Sequence, residues 1–239
     1  MRMREAAQVR EEVARTLSAR IGVGDTQSEV LKWLDIWAGE RTTPVGGPRS
    51  AALVALQLEA HEVFGGGEVE HLAEDAKRRD VLAIRRHDGS FLRALLVQMY
   101  LETQEQLKAR GIEQITLWRG ERGIFSPHQD AFLDIGILPF QPLNSFSHQL
   151  AQARRFAGQR VGSLVVVVAP ASRILATPAT GFGVLQQREE LLFAIPSTLN
   201  TSDQGLVAQW DDFDLWQEIS SYDETDWVEL LQAFYQARS

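Results

Sequence analysis

Cysteine is absent from the 239 residues, which excludes disulfides, thiolate metal sites and cysteine nucleophiles and leaves stability to packing alone. Nowhere do eighteen apolar residues run together, so neither a membrane-spanning helix nor membrane insertion is expected. The opening Met1-Arg2-Met3-Arg4-Glu5 leads into a charged amphipathic pattern and not an apolar stretch, so no secretory signal peptide is expected. The chain therefore reads as cytoplasmic, or as delivered by a route that needs no signal peptide. The five histidines show no His-Glu-x-x-His or comparable spacing, and no metal is expected. No Lys-Ser or Lys-Thr follows Gly65-Gly66-Gly67, which reads as a flexible turn and not a phosphate loop. Basic residues are scarce at the end: from Leu206 onward eight acidic residues face one arginine, so most of the net charge of -8 belongs to this tail.

What is present divides into two patterns. A 44% hydrophobic content is enough for a real core. Val9, Val13, Leu17 and Ile21 recur every four residues and predict an amphipathic helix over 5–21, with further helices over 27–38, 51–64, 68–79 and 91–110. The last of these closes on Gly111, in the position after a helix that glycine favours. From there the pattern turns strand-like. Gln114 to Arg119 alternates and is β-branched, Ser163 to Ala169 holds four consecutive valines, and 173–176 and 190–195 read as two further strands. Trp227, Leu230, Leu231 and Phe234 fall at helical spacing and predict a final docked helix. The expected organisation is a helical region over 1–110, a catalytic core over 111–205 with which helix 91–110 packs, and an acidic aromatic tail over 206–239.

Three separated features become informative together: Leu117-Trp118-Arg119-Gly120 ending one strand, Asn144-Ser145-Phe146-Ser147 starting another and followed by a helix over 149–157, and Gln187-Arg188-Glu189-Glu190-Leu191-Leu192 entering a third. An arginine's planar charged fork suits a diphosphate. A fixed carboxylate suits a site where positive charge develops in a transition state.

In order, and in intervals of 26 and 44 residues, these motifs resemble those of the NAD+-dependent mono-ADP-ribosyltransferases of the Arg-Ser-Glu class, which include binary actin-modifying toxins and Rho-modifying exoenzymes. Tyr100-Leu101-Glu102-Thr103-Gln104, Leu107 and Gly111 look like the helix before the catalytic arginine, so that the likeness spans about residues 95–200. It implies an α+β fold in which the helical N-terminal region is followed by a split, mostly antiparallel β-core holding NAD+, as co-substrate, in a central cleft.

The same resemblance implies roles. Arg119 would anchor the diphosphate; Gly120 would let the backbone approach the nicotinamide carboxamide, and Phe156 would pack on the nicotinamide ring. Ser145 would orient Glu189, the catalytic carboxylate, although Phe146 stands where the family's Ser-Thr-Ser motif has threonine. Gln187, in a Gln-x-Glu pattern, points away from arginine as the acceptor, because an amide does not pair with a guanidinium as a carboxylate does. Phe182, between two glycines, is the expected exposed aromatic of the acceptor-recognition loop.

The acceptor is expected to be macromolecular, a protein side chain before a nucleic-acid base, and a toxin or defence effector of this kind would have an immunity or antitoxin protein as a possible partner. Ordinary readings stand beside these. Arg188-Glu189-Glu190 also fits a charged surface turn, with Glu190 the alternative one residue away. Ser145, Ser147 or His148 also fits a helix cap, and Phe156 a core position. An inactive NAD+-binding, structural or interaction module remains the reading from another class.

Overall fold

The fourfold spacing that marks the first helix also sets its packing: in α1 (Met3–Ile21) Val13 and Leu17 are buried, with Val9 and Ile21 partly so beside them. The computed structural model describes residues 3–22, 26–40, 50–65, 69, 76–122, 132–134, 142–182, 189–193 and 205–236. Most of the helix expected over 68–79 lies outside them. The chain divides into two compact units, Met1–Glu113 with Pro139–Ser145 and Ala171–Pro196, and Gln114–Leu138 with Phe146–Pro170 and Ser197–Ser239. This division crosses the linear boundaries expected from the sequence, since the segment 111–205 contributes to both.

In the first unit α2 (Thr26–Glu40) buries Val30, Trp33, Leu34 and Trp37, an i, i+3, i+4, i+7 stripe. Helix α3 (Ala51–Phe64) starts where the Ser50 hydroxyl accepts the Leu53 N–H at 3.1 Å. Helix α4 (Arg78–Ala109) is 32 residues long and begins thirteen residues before the expected Phe91. Its continuation through Gly89 has a packing reason. A Cβ there would come within 3.1 Å of Glu59 Oε1, so the missing side chain makes room for a carboxylate that is 1% exposed. Glu59 is held by Arg85 (2.6 Å) and Arg93 (2.5 Å). Burial alone would lower the Arg85 proton affinity, but hydrogen bonds and charges from Glu59 and Glu62 outweigh it and hold the guanidinium above its ordinary value.

Both arginines reach solvent and the glutamate does not, so the cost of breaking the cluster is asymmetric. We expect Arg85→Ala with Arg93→Ala, which strands the carboxylate, to destabilise by about 3–5 kcal/mol, and Glu59→Gln by less, as read by urea unfolding. Helix α4 ends in paired bonds from Ile112 N to Leu107 O (3.0 Å) and Gly111 N to Lys108 O (3.0 Å), with Gly111 at φ +66°, the terminus glycine favours.

The second unit is built on an antiparallel four-stranded sheet. Strand β1 (Gln114–Arg122) pairs along its whole length with β4 (Gly162–Pro170), β4 with β7 (Gly205–Trp210), and β7 with β2 (Phe132–Asp134). The four-valine run lies in β4, where residues 164 to 167 are wholly buried, as a strand covered on both faces requires. Strand β3 (Leu143–Ser147) contributes Ser147, opposite Trp118 of β1, and leads into α5 (Leu150–Ala157), the helix expected after the serine motif.

The tail differs from the single helix expected. Trp210 ends a strand, and two helices follow, α6 (Phe213–Ser221) and α7 (Glu224–Gln236). The breaks are made by aspartates whose side chains bond the backbone more readily than a helix interior allows. Asp212 accepts from Asp214 N (2.6 Å), and Asp223 from Thr225 N (2.7 Å) and Asp226 N (3.1 Å). Trp216, Ile219, Trp227 and Leu231 bury themselves against Trp210 and the sheet, while the tail's acidic residues are all exposed. The chain is thus an α+β protein with an antiparallel sheet, and no helix among the described residues is long and apolar enough to cross a membrane.

Candidate functional site

Arg119, Gly120 and Phe156 belong to the second unit. Arg119 and Glu121, two apart on β1, share one face of the strand. The guanidinium meets Glu121 Oε1 through Nε at 2.6 Å and also through Nη2, and its carbon lies 5.8 Å from the centre of the Phe146 ring. Phe146 is the residue that departs from the family's serine motif; here it forms a buried aromatic floor beside the arginine. With its side chain 19% exposed, Arg119 is oriented and reaches solvent.

Gly120 has a requirement the sequence did not disclose. A Cβ on it would fall 1.9 Å from Ala153 O and 2.7 Å from Ala157 N. On that face the glycine is needed for α5 to lie against β1, and the side is closed to a nicotinamide by the helix backbone. Gly162 on β4 is a second seat, where a Cβ would lie 2.2 Å from Ala157 O and 2.6 Å from the Trp210 ring. Both glycines serve one helix whose buried Ala153 and Ala157 are themselves small. Phe156, on the same helix, is half-buried.

Near it Arg154 presents an Nε and an Nη2 that are buried with no hydrogen-bond partner among the described residues. Burial lowers the pKa of this guanidinium, and the charges of Asp223 and Glu224 oppose the effect. The acidic start of α7 thus stabilises a cation on α5, a relation that no sequence spacing reveals. None of the three helix-capping candidates caps the helix: its N-cap is Gln149, without a side-chain cap bond, and the Ser147 hydroxyl accepts the Gln149 N–H at 3.1 Å in the turn before it.

Ser145, Glu189 and Phe182 belong to the first unit. Ser145 is 4% exposed, in a strand whose start is fixed by an unheralded residue. The buried Gln57 side chain donates to Leu143 O (3.0 Å) and accepts from Leu143 N (2.6 Å), satisfying both backbone groups two residues before Ser145. A glutamine within an apolar helix stretch was the available sign.

Glu189 is the first residue of β6 (Glu189–Phe193), which pairs antiparallel with β5 (Ile174–Ala176). The described structure carries the backbone of Glu189 and not the surroundings of its side chain, and Gln187 lies outside the described residues.

The expectation for Phe182 requires correction. Its ring is 1% exposed and stacks on Trp37 at 5.4 Å between centroids, so it is a core residue and not an exposed acceptor contact. The hollow it lines with Arg10, Val13, Leu34, Ala38, Pro178 and Gly181 has a volume of about 10 Å³, enough for one water. Gly181 is likewise a matter of fit and not of flexibility, since a Cβ there would meet Met99 Sδ at 2.6 Å. An aromatic between glycines in a loop carries no sequence signal for burial, because the partner, Trp37, is 145 residues away.

Comparison with models of known protein families, with curated proteins and with solved structures finds no match.

Proposed function

We propose that the chain is an NAD+-dependent mono-ADP-ribosyltransferase acting on a macromolecule, with a protein side chain other than arginine as its acceptor. The observation that carries the reading is the strand position of the three motif residues: Arg119 on β1, Ser145 on β3 directly ahead of α5, and Glu189 opening β6.

In this reading the Arg119 guanidinium exchanges Glu121 for the NAD+ diphosphate, gaining charge-assisted hydrogen bonds in a fixed orientation. The bond between nicotinamide and the ribose C1′ breaks with both electrons leaving on nicotinamide, and the Glu189 carboxylate stabilises the positive charge that develops on the ribose. The acceptor nucleophile then bonds to C1′ and gives up its proton to water. Ser145 orients Glu189, Phe156 contributes an aromatic surface to the nicotinamide, and Gln187 orients the acceptor; Phe182, being buried, has no part in this scheme. An effector role, as toxin or in defence, and an immunity or antitoxin partner belong to the same proposal.

Because Glu121 competes for the guanidinium, Glu121→Gln is expected to lower KM for NAD+ by about two- to fivefold, the worth of a partly exposed ion pair, whereas Arg119→Ala raises it; steady-state kinetics at fixed salt reads both.

The acceptor is tested by incubating the purified chain with labelled NAD+ and a cell lysate, half treated with nuclease and half with protease. Label that protease removes and nuclease spares is the expected result. Label removed only by nuclease would assign a nucleic-acid base instead, and no label with NAD+ still bound would leave an inactive binding module.

A further inference from the structure

The irregular step in the β5–β6 ladder carries the inference. Ile174 pairs with Leu192 and Ala176 with Leu191, so two residues are used on β5 for one on β6, and Leu175 is the extra residue of a bulge. Its carbonyl is taken by α4: the Thr103 hydroxyl lies 2.8 Å from Leu175 O. Thr103 is fully buried and Thr180 is 3% exposed, so every hydroxyl hydrogen must find an acceptor within the protein.

Proton accounting then assigns the whole chain. Leu175 O only accepts, so Thr103 spends its single hydrogen there. The 2.7 Å contact between Thr103 and Thr180 therefore has Thr180 as donor. The 3.0 Å contact between Thr180 and Thr177 has Thr177 as donor. Thr180 Oγ1 accepts also from Thr177 N at 2.8 Å and is left with no unused capacity. Three hydroxyls thus point one way, from the turn at 177–180 to the bulge, each with an acceptor for its hydrogen.

Neighbouring side chains of α4 hold what precedes the bulge. Gln104 Nε2 donates to Ala171 O (2.9 Å) and Ile174 O (3.0 Å), and Tyr100 donates to Ser172 O (3.2 Å).

We propose that Thr103 is a positioning residue that pins the Leu175 bulge and so sets the register of β6, on which Glu189 and Glu190 are adjacent. Resting on the transferase reading, this deepens it: strand residues alternate between faces, so a slip of one residue would exchange position 189 for position 190. Thr103 touches neither substrate nor acceptor in this scheme. It acts through the β5–β6 pairing.

The test compares Thr103→Val, Thr103→Ser and Thr180→Val with the parent chain in two readouts, NAD+ cleavage and amide hydrogen exchange. Expected for Thr103→Val is a fall in kcat of about 10²-fold, the scale for a catalytic group misplaced by about 1 Å, with KM for NAD+ unchanged. Exchange should be faster at residues 174–176 and 191–192 and unaltered in α1 and α2. Thr103→Ser keeps the donor and restores both readouts, and Thr180→Val, which removes the bond that orients Thr103, falls between.

Equal exchange at the bulge in the Val and Ser variants overturns the proposal, as does a loss of kcat that Thr103→Ser fails to rescue. Should Thr103→Val not fold, the contrast between Thr103→Ser and Thr180→Val decides. If the parent chain cleaves no NAD+, the transferase reading falls by itself, and exchange at 174–176 and 191–192 still decides whether Thr103 holds the register.

Discussion

Glu189→Ala is expected to lower NAD+ cleavage and transfer by about 10²–10³-fold, the usual cost of removing one preorganised electrostatic contact to a transition state, while the affinity for NAD+ changes little. The asymmetry follows from when the charge appears. In the ground state the nicotinamide–ribose bond is intact and the ribose carries little of the charge the carboxylate is there to meet; at the transition state it carries most of it. In the proposed reading, NAD+ would be held through its diphosphate and nicotinamide, which the substitution does not touch. Titration of NAD+ into both forms, beside single-turnover cleavage, separates the two effects. Glu190→Ala belongs in the same experiment, because Glu190 is one residue along β6. Full activity in Glu189→Ala, or an equal loss in both variants, would remove Glu189 from the catalytic role.

Gly120→Ala should be among the most destabilising single-methyl additions available in the second unit. Its Cβ would lie 1.9 Å from Ala153 O, well inside van der Waals contact, and the obstacle is helix backbone and not a side chain that can turn aside. Either α5 moves off β1, uncovering the buried Leu150, Ala153 and Ala157, or β1 distorts within a ladder that runs its whole length against β4. Overpacking of this kind costs about 3 kcal/mol or more, a fall in Tm of roughly 6–12 °C for a chain of this size. Thermal unfolding checks it. Gly111→Ala is the internal comparison: nothing lies within 4 Å of its Cβ position, and only its φ of +66° is strained. A Gly120→Ala protein as stable as the Gly111 variant would show that α5 does not press on β1.

The periodic segments were legible because their signal is local. Val13 and Leu17 in α1 and Trp33 and Trp37 in α2 are buried as their spacing predicts, since an element's own period decides which side chains share a face, and Val165 to Val167 of β4 are buried as an unbroken apolar run requires. Local signals failed where a distant partner overrode them. Helix α4 carries a glycine at position 89 where Glu59, thirty positions earlier, would lie only 3.1 Å from a Cβ. The tail opens on a strand because Gly205–Trp210 finds a ladder partner in β4, which no helical periodicity near Trp210 can announce.

Of the candidate site, the chemical types and their strand positions were readable, and the partners were not. Arg119 reads as a phosphate-type cation from its sequence, but Glu121 and the Phe146 ring that orient it emerge only with the strands in register. Gln57 and Thr103 carry no motif, and their roles at Leu143 and Leu175 depend on backbone 86 and 72 residues away.

By itself the sequence determined that helices precede strands, with a change near residue 111, and the stripes that α1 and α2 bury, because each depends on residues within a turn or a strand of one another; composition alone settled the absence of thiol chemistry. Tertiary structure alone decided that Phe182 is core, that Gly120 and Gly162 exist to seat a helix, and that a threonine on α4 holds a bulge in β5. Those outcomes depend on volume and hydrogen-bond capacity supplied by chain far away in sequence, and a buried group must be matched by whatever the fold brings to it.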